Sequence, residues 1–268
     1  MRIETDTNRA WWTASLSDDA VIATAIHDGH GLDPDVAALM SLPEADRLRE
    51  EDPHTGQAVI GVPSHVVVHR SRFEADLNRA LDEAIYLTPG QSWGLDVWRV
   101  PPEGAVLARM QDYHRAFYRM MACTLDEIAS RHHRFVLLDV HSYNHRRDGA
   151  DAAPTPQDKA PDINIGTFSM PREDWAFLLD PLMASMRGFD FNGRRLDVRE
   201  NIAFEGRGAL TRFVHERYPG QGCAIALEFK KFYMDEWRGE PYPDELRAMR
   251  DFITASADTC RQLLASAP

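Results

Sequence analysis

Two histidines follow apolar runs in this chain. His27 comes after Val21-Ile-Ala-Thr-Ala-Ile26, and His141 after Phe135-Val-Leu-Leu-Asp-Val140. A histidine at the end of a buried strand can turn its imidazole into a crevice, and neutral imidazole is a good ligand for Zn2+. Singly, each reads more simply as a core histidine bonded to a neighbour; the repeated pattern favours a shared cation. A catalytic zinc takes three protein ligands and keeps one position open. The third ligand could be His30, Glu51 or Asp52, although a charged run such as Glu50-Glu-Asp52 also reads as a solvated face. Asp139 could orient a ligand from behind, and His54 could touch a substrate.

Glu228 lies in Cys223-Ala-Ile-Ala-Leu-Glu-Phe229, which is otherwise apolar. Burying an unpaired carboxylate is costly. The residue therefore either pairs with Lys230, Lys231 or an arginine, or serves as the general base of a metal-assisted hydrolysis. Arg72, Asn78 and Arg79 lie close together after the apolar run His65-Val-Val-Val-His69. Guanidinium groups bind carboxylates in a two-pronged geometry, and one beside zinc could stabilise an oxyanion. Their bland alternative is ion pairing with Glu74 or Asp76. The tryptophans read as core or rim packing.

These residues need a scaffold. Strands are expected at residues 21–26, 65–69, 134–140, 162–166 and 223–229 from their apolar, β-branched character. Helices are expected from Asp33-Pro34 onward, over 106–132 from apolar spacings of three and four, and at 171–186, 207–218 and 243–267. Residues 47–56 read as a charged loop, 86–104 as a loop, and 144–161 as a long loop that could close over a site. The alternation predicts an α/β fold with helices on both faces of a largely parallel sheet. Sites in such folds lie beyond the carboxyl ends of strands.

With 268 residues, 44% of them hydrophobic, and no linker-like stretch, the chain is expected to form one domain over residues 1–268. Its net charge of −12 argues against a nucleic-acid or anionic-membrane partner. No apolar run approaches the ~20 residues that span a bilayer. The first residues carry no secretory pattern, and three widely spaced cysteines give neither a disulfide framework nor a CxxC metal site, so a cytoplasmic protein is expected. A homo-oligomer is compatible with the composition.

Six segments carry a resemblance. They are Ile26-His-Asp-Gly29, Glu51-Asp-Pro-His54, Ser71-Arg-Phe73 with Asp76-Leu-Asn-Arg79, Leu138-Asp-Val-His-Ser142, Asp197-Val-Arg-Glu-Asn201, and the run from Glu228-Phe-Lys-Lys231 to Trp237. Together they resemble the N-formylglutamate amidohydrolase family, relatives of the zinc carboxypeptidases, over residues 27–239. The resemblance implies a mixed, largely parallel sheet of the zinc-carboxypeptidase, phosphorylase/hydrolase-like kind. It implies one zinc ion held by His27, His141 and an acidic residue of the 51–52 pair, with Asp52 preferred. It also implies Asn78 and Arg79 on a substrate carboxylate and Glu228 as the catalytic glutamate, while the arginine expected on the oxyanion from the residues themselves is Arg72. The expected substrate is a small anionic acyl-amino acid, foremost N-formyl-L-glutamate, cleaved to formate and glutamate. The alternatives are another deacylase or peptidase, or a non-catalytic protein that binds an anionic metabolite. The chain departs from the relatives at His30, where carboxypeptidases place a glutamate. It also departs at Asp28 and Gly56, where the better known formylglutamate enzymes have serine and aspartate.

Overall fold

The computed structural model describes residues 2–3 and 11–267. Their strands are β1 (Arg2–Ile3), β2 (Trp12–Ser15), β3 (Val21–Ala25), β4 (Ser64–Val68), β5 (Phe135–Tyr143), β6 (Ile163–Gly166), β7 (Val198–Glu200), β8 (Gly222–Lys230), β9 (Met234–Asp235) and β10 (Glu240–Pro241). The first eight form one sheet in the order β1-β2-β4-β3-β5-β8-β6-β7, and β9 and β10 form a separate hairpin. The central four strands, β4, β3, β5 and β8, are mutually parallel. β2 is antiparallel to β4 and β6 antiparallel to β8, so the sheet is mixed but largely parallel.

The helices are α1 (Pro34–Leu39), α2 (Glu44–Glu50), α3 (Thr55–Val59), α4 (Gly104–Arg131), α5 (Ala176–Gly188), α6 (Ala209–Arg217) and α7 (Pro243–Ser266). Successive strand side chains point to opposite faces, and the core divides accordingly. Val21, Ala23 and Ala25 pack with α3, α5 and α7 on one face. Ile22, Val66 and Leu137 pack with α4 and α6 on the other. The stripe Met110, Tyr113, Phe117, Met121 and Leu125 gives α4 its sheet-facing side. Each fully buried leucine or phenylalanine stabilises such a core by about 1.5–3 kcal/mol.

Three local expectations are corrected. Residues 47–56 are not a loop, because α2 and α3 occupy most of them. The charges that resembled a solvated run are buried: Arg47, Glu50, Glu51 and Asp52 all lie inside. His141 does not end its strand, since β5 continues to Tyr143 in register with β8 as far as Lys230. The antiparallel pairing of β6 with β8 agrees with the expected mixed sheet.

Candidate active site

The carboxyl ends of β3, β5 and β8 meet at the centre of the sheet. His141 of β5 and Glu228 of β8 are direct register partners on parallel strands, so their side chains leave the same face. Asp139 lies two residues before His141 and shares that face. His27 begins the turn after β3. Gly29 makes that turn feasible, because a Cβ there would stand 2.3 Å from the His69 carbonyl carbon. The Gly31 N–H then donates to the His69 carbonyl at 2.9 Å, prolonging the pairing of β3 with β4.

Asp52 reaches the same point from the α2–α3 junction. Its N–H donates to the His27 carbonyl at 2.9 Å. The Thr55 hydroxyl donates to the Asp52 carbonyl at 2.7 Å, and the Tyr233 hydroxyl to the Pro53 carbonyl at 3.0 Å. Lys231 Nζ donates at 2.6 Å to each of the carbonyls of Arg49 and Glu51. Burial lowers that lysine to about 8.

The result is a cluster of three buried groups. Ligand atoms of His27, Asp52 and His141 all lie within 4.8 Å of one another. Each imidazole has Nε2 engaged by a different carboxylate: His27 with Asp76 Oδ1 at 2.7 Å, and His141 with Asp139 Oδ2 at 3.0 Å. Thr24 Oγ1 donates to the other Asp139 oxygen at 2.7 Å. Both Nδ1 atoms are thereby turned to Asp52 Oδ2, at 3.4 Å from His27 and 3.1 Å from His141. With each Nε2 turned outward to its own carboxylate, loss of a proton from Nδ1 would free a lone pair for a cation shared with Asp52. His27 Nδ1 is buried without any hydrogen-bond partner. The group fits a divalent metal of the kind that imidazole and carboxylate bind.

The electrostatics follow from the packing. Burial would raise the Asp52 carboxyl, but the hydrogen bond from His141 and the nearby imidazoles of His141 and His27 outweigh it and hold the group well below the usual range. Burial would lower His141, but Asp139 and Asp52 hold it well above its ordinary value. Glu228 behaves oppositely. Burial pushes its carboxyl up to about 7, opposed by His141 and Arg72 and reinforced by Asp52 and Asp139.

Among the described residues Glu228 has no salt-bridge partner. Lys230 pairs instead with Asp162 at 2.8 Å, and Lys231 is spent on backbone carbonyls. Glu228 lines a cavity of about 150 Å3 together with the His27–Asp52–His141 cluster, Arg72 and Asn78. Arg72 is pinned by Asp76 Oδ2 at 2.8 Å and the Tyr86 hydroxyl at 3.1 Å. Burial alone would lower its pKa, but Asp76 and Tyr86 keep it well above the usual value, so its charge is permanent.

Several expected residues lie elsewhere. His30 and Glu51, weighed as the third ligand, bond to each other at 2.5 Å, and Glu51 also receives Ser71 and Arg47. That network lies outside the metal-like cluster. Arg79 does not line the cavity; its guanidinium donates to the Gln91 carbonyl at 2.7 Å and lies 4.5 Å over the Tyr86 ring. His54 also stands outside it. Its backbone is left-handed at φ 71°, and burial holds its imidazole pKa below the ordinary value. Conversely, neither Lys231 as a brace nor Asp76 as the partner of His27 was legible in the chain. Both lie inside motifs quoted above, but only the fold reveals whom they face.

A model of the N-formylglutamate amidohydrolase family matches residues 19–234. The chain belongs to that family. Two solved structures share the N-formylglutamate amidohydrolase-like fold. The crystal structure of N-formylglutamate amidohydrolase from Ralstonia eutropha JMP134 superposes with a TM-score of 0.76 at 16% identity, over 97% of this chain and 100% of that one. The gene product Atu2144 from Agrobacterium tumefaciens superposes with a TM-score of 0.61 at 13% identity, over 90% of each chain. At such identities the likeness is one of fold. A search of curated proteins finds no match.

Proposed function

We propose that this protein, as one amidohydrolase domain over residues 1–268, is a zinc-dependent hydrolase of linear amides. Its substrate is N-formyl-L-glutamate, cleaved to formate and L-glutamate. Membership of the family supports the reaction class. The observation that carries the reading is Glu228, an unpaired carboxyl raised to about 7 and in register with His141 of the buried cluster. A raised carboxyl in a cavity is what a general base working near neutral pH requires.

His27 and His141 through Nδ1, with Asp52, would hold the ion, while Asp76 and Asp139 fix the two rings. Zinc bound there would act as a Lewis acid toward the formyl carbonyl and bring the pKa of a bound water from ~15.7 to about 7. Glu228 takes a proton from the attacking water as its oxygen adds to the formyl carbon. The same carboxyl returns that proton to the amine nitrogen as the C–N bond breaks. The oxygen and hydrogens of water are thus divided between formate and the new amino group. Arg72 faces the growing charge on the formyl oxygen with its permanent cation. Asn78 offers its amide to the α-carboxylate. Arg79 and His54 stand outside this scheme, the former bracing Tyr86 and Asp76 from behind.

The test is metal analysis combined with a formate assay on N-formyl-L-glutamate, run beside N-acetyl-L-glutamate and a short peptide. Roughly one zinc per chain is expected, with formate release abolished by chelation and restored by the metal. Full turnover by a metal-free preparation refutes the reading.

A further inference from the structure

We propose that Arg147 binds the side-chain carboxylate of the substrate and thereby selects acyl-amino acids with an acidic side chain. The inference rests on reading the cavity as an acyl-amino acid site, and it adds a residue that the sequence motifs do not contain.

Three cationic side chains line the cavity: Arg72, Lys231 and Arg147. Two of them are committed. Lys231 is fully buried with its ammonium between two backbone carbonyls. Arg72 is tied to Asp76 and Tyr86 and faces the reacting carbonyl. Arg147 is different. Among the described residues it makes no hydrogen bond, and its side chain is 45% exposed. Its one ion-pair neighbour is Glu50, whose Oε2 lies 3.6 Å away, beyond hydrogen-bond distance. Glu50 is itself held by Asn144 Nδ2 at 3.1 Å. Glu50 therefore aims Arg147 at the cavity without saturating it, and the guanidinium keeps its donor fork free for a second carboxylate.

The remaining walls match the rest of such a side chain. Trp93 and Phe204 also line the cavity, yet stand 45% and 41% exposed, unusual for large apolar rings. Phe204 is held edge-on to Tyr143 at 5.4 Å. Two exposed rings at the mouth can cover two methylenes, and a free cation beside them can take a terminal carboxylate. At about 150 Å3 the cavity is small beside ordinary ligand pockets and suits a small ligand.

The experiment compares N-formyl-L-glutamate with N-formyl-L-glutamine, its neutral isostere, as substrates of the wild type, Arg147→Gln and Arg147→Lys. The wild type is expected to favour the acid in kcat/KM. Arg147→Gln should cut that preference by about 10- to 100-fold, mostly through KM, as expected for one charge-assisted pair. Arg147→Lys should restore part of it. A wild type without preference, or an Arg147→Gln that keeps it or weakens both substrates equally, overturns the role of Arg147 alone. A wild type that releases formate from neither compound overturns the reading of the site, and this inference with it.

Discussion

Asp76 uses its two oxygens on two different parts of the site. Oδ1 lies 2.7 Å from His27 Nε2, and Oδ2 accepts from Arg72 at 2.8 Å and from the Tyr86 hydroxyl. One carboxylate therefore sets the orientation of an imidazole of the candidate metal cluster and of the arginine proposed for the oxyanion. Asp76→Asn keeps the shape and removes the charge. Zinc affinity, measured by competition with a chromophoric chelator, should fall about 10- to 100-fold. Unchanged affinity would show that His27 is oriented by packing alone.

Glu228→Gln separates binding from chemistry. The amide occupies the same volume but cannot take a proton. Zinc content should match the wild type, while kcat for formate release should drop by about 100- to 10,000-fold. A near-normal kcat would remove Glu228 from the reaction.

Lys231 tests the brace beneath Asp52. Its ammonium satisfies the buried carbonyls of Arg49 and Glu51. Lys231→Met fills similar space and leaves both acceptors unpaired, at about 1–3 kcal/mol each. Urea denaturation should show a loss of about 2–6 kcal/mol, accompanied by weaker zinc retention. Stability within about 0.5 kcal/mol of the wild type would mean that water replaces the ammonium without loss.

His215 makes a pH prediction far from the cavity. It lies in α6, where Nε2 accepts from the Ala224 N–H at 3.0 Å and Nδ1 lies 3.0 Å from Ser169 Oγ. Burial pushes its pKa down to about 4 from an ordinary 6.5. Between those values the unfolded chain binds a proton that the folded one refuses. Stability from this group is complete above about pH 6.5 and drains away as the pH falls toward 4. The effect is capped at about 3 kcal/mol and is nearer 1–2 kcal/mol for a ring not wholly buried. Urea titrations at pH 7 and 4.5 should show the wild type losing that much more than His215→Gln, and equal losses would refute it.

The sequence made His27, His141 and Glu228 legible because each is a polar residue in or directly after an apolar strand of a largely parallel sheet, where polarity needs a reason. Asp52 was legible only as one of several candidates, since a buried, paired charge and a solvated one look alike in a chain. The same ambiguity hid α2, whose Arg47 and Glu50 are inside and bonded to the His30 carbonyl and to Asn144, both distant in sequence. Arg79 follows Asn78 directly yet turns to the Gln91 carbonyl, with its guanidinium over the Tyr86 ring and beside Asp76, contacts that only the fold reveals. Arg147 belongs to no motif and became visible only when the other cations at the cavity proved to be occupied.

The contact between Asp28 and Gly56 limits the routes by which this loop can change. The Gly56 N–H donates to Asp28 Oδ1 at 2.8 Å, and a Cβ on residue 56 would stand 2.5 Å from the other carboxylate oxygen. An aspartate at 56 would add a like charge to that overlap. A lineage moving toward an acidic residue at 56 must therefore shrink position 28 first. The reverse order would pass through an intermediate that neither packs nor tolerates its own charges, so these two sites should be found to change as a pair.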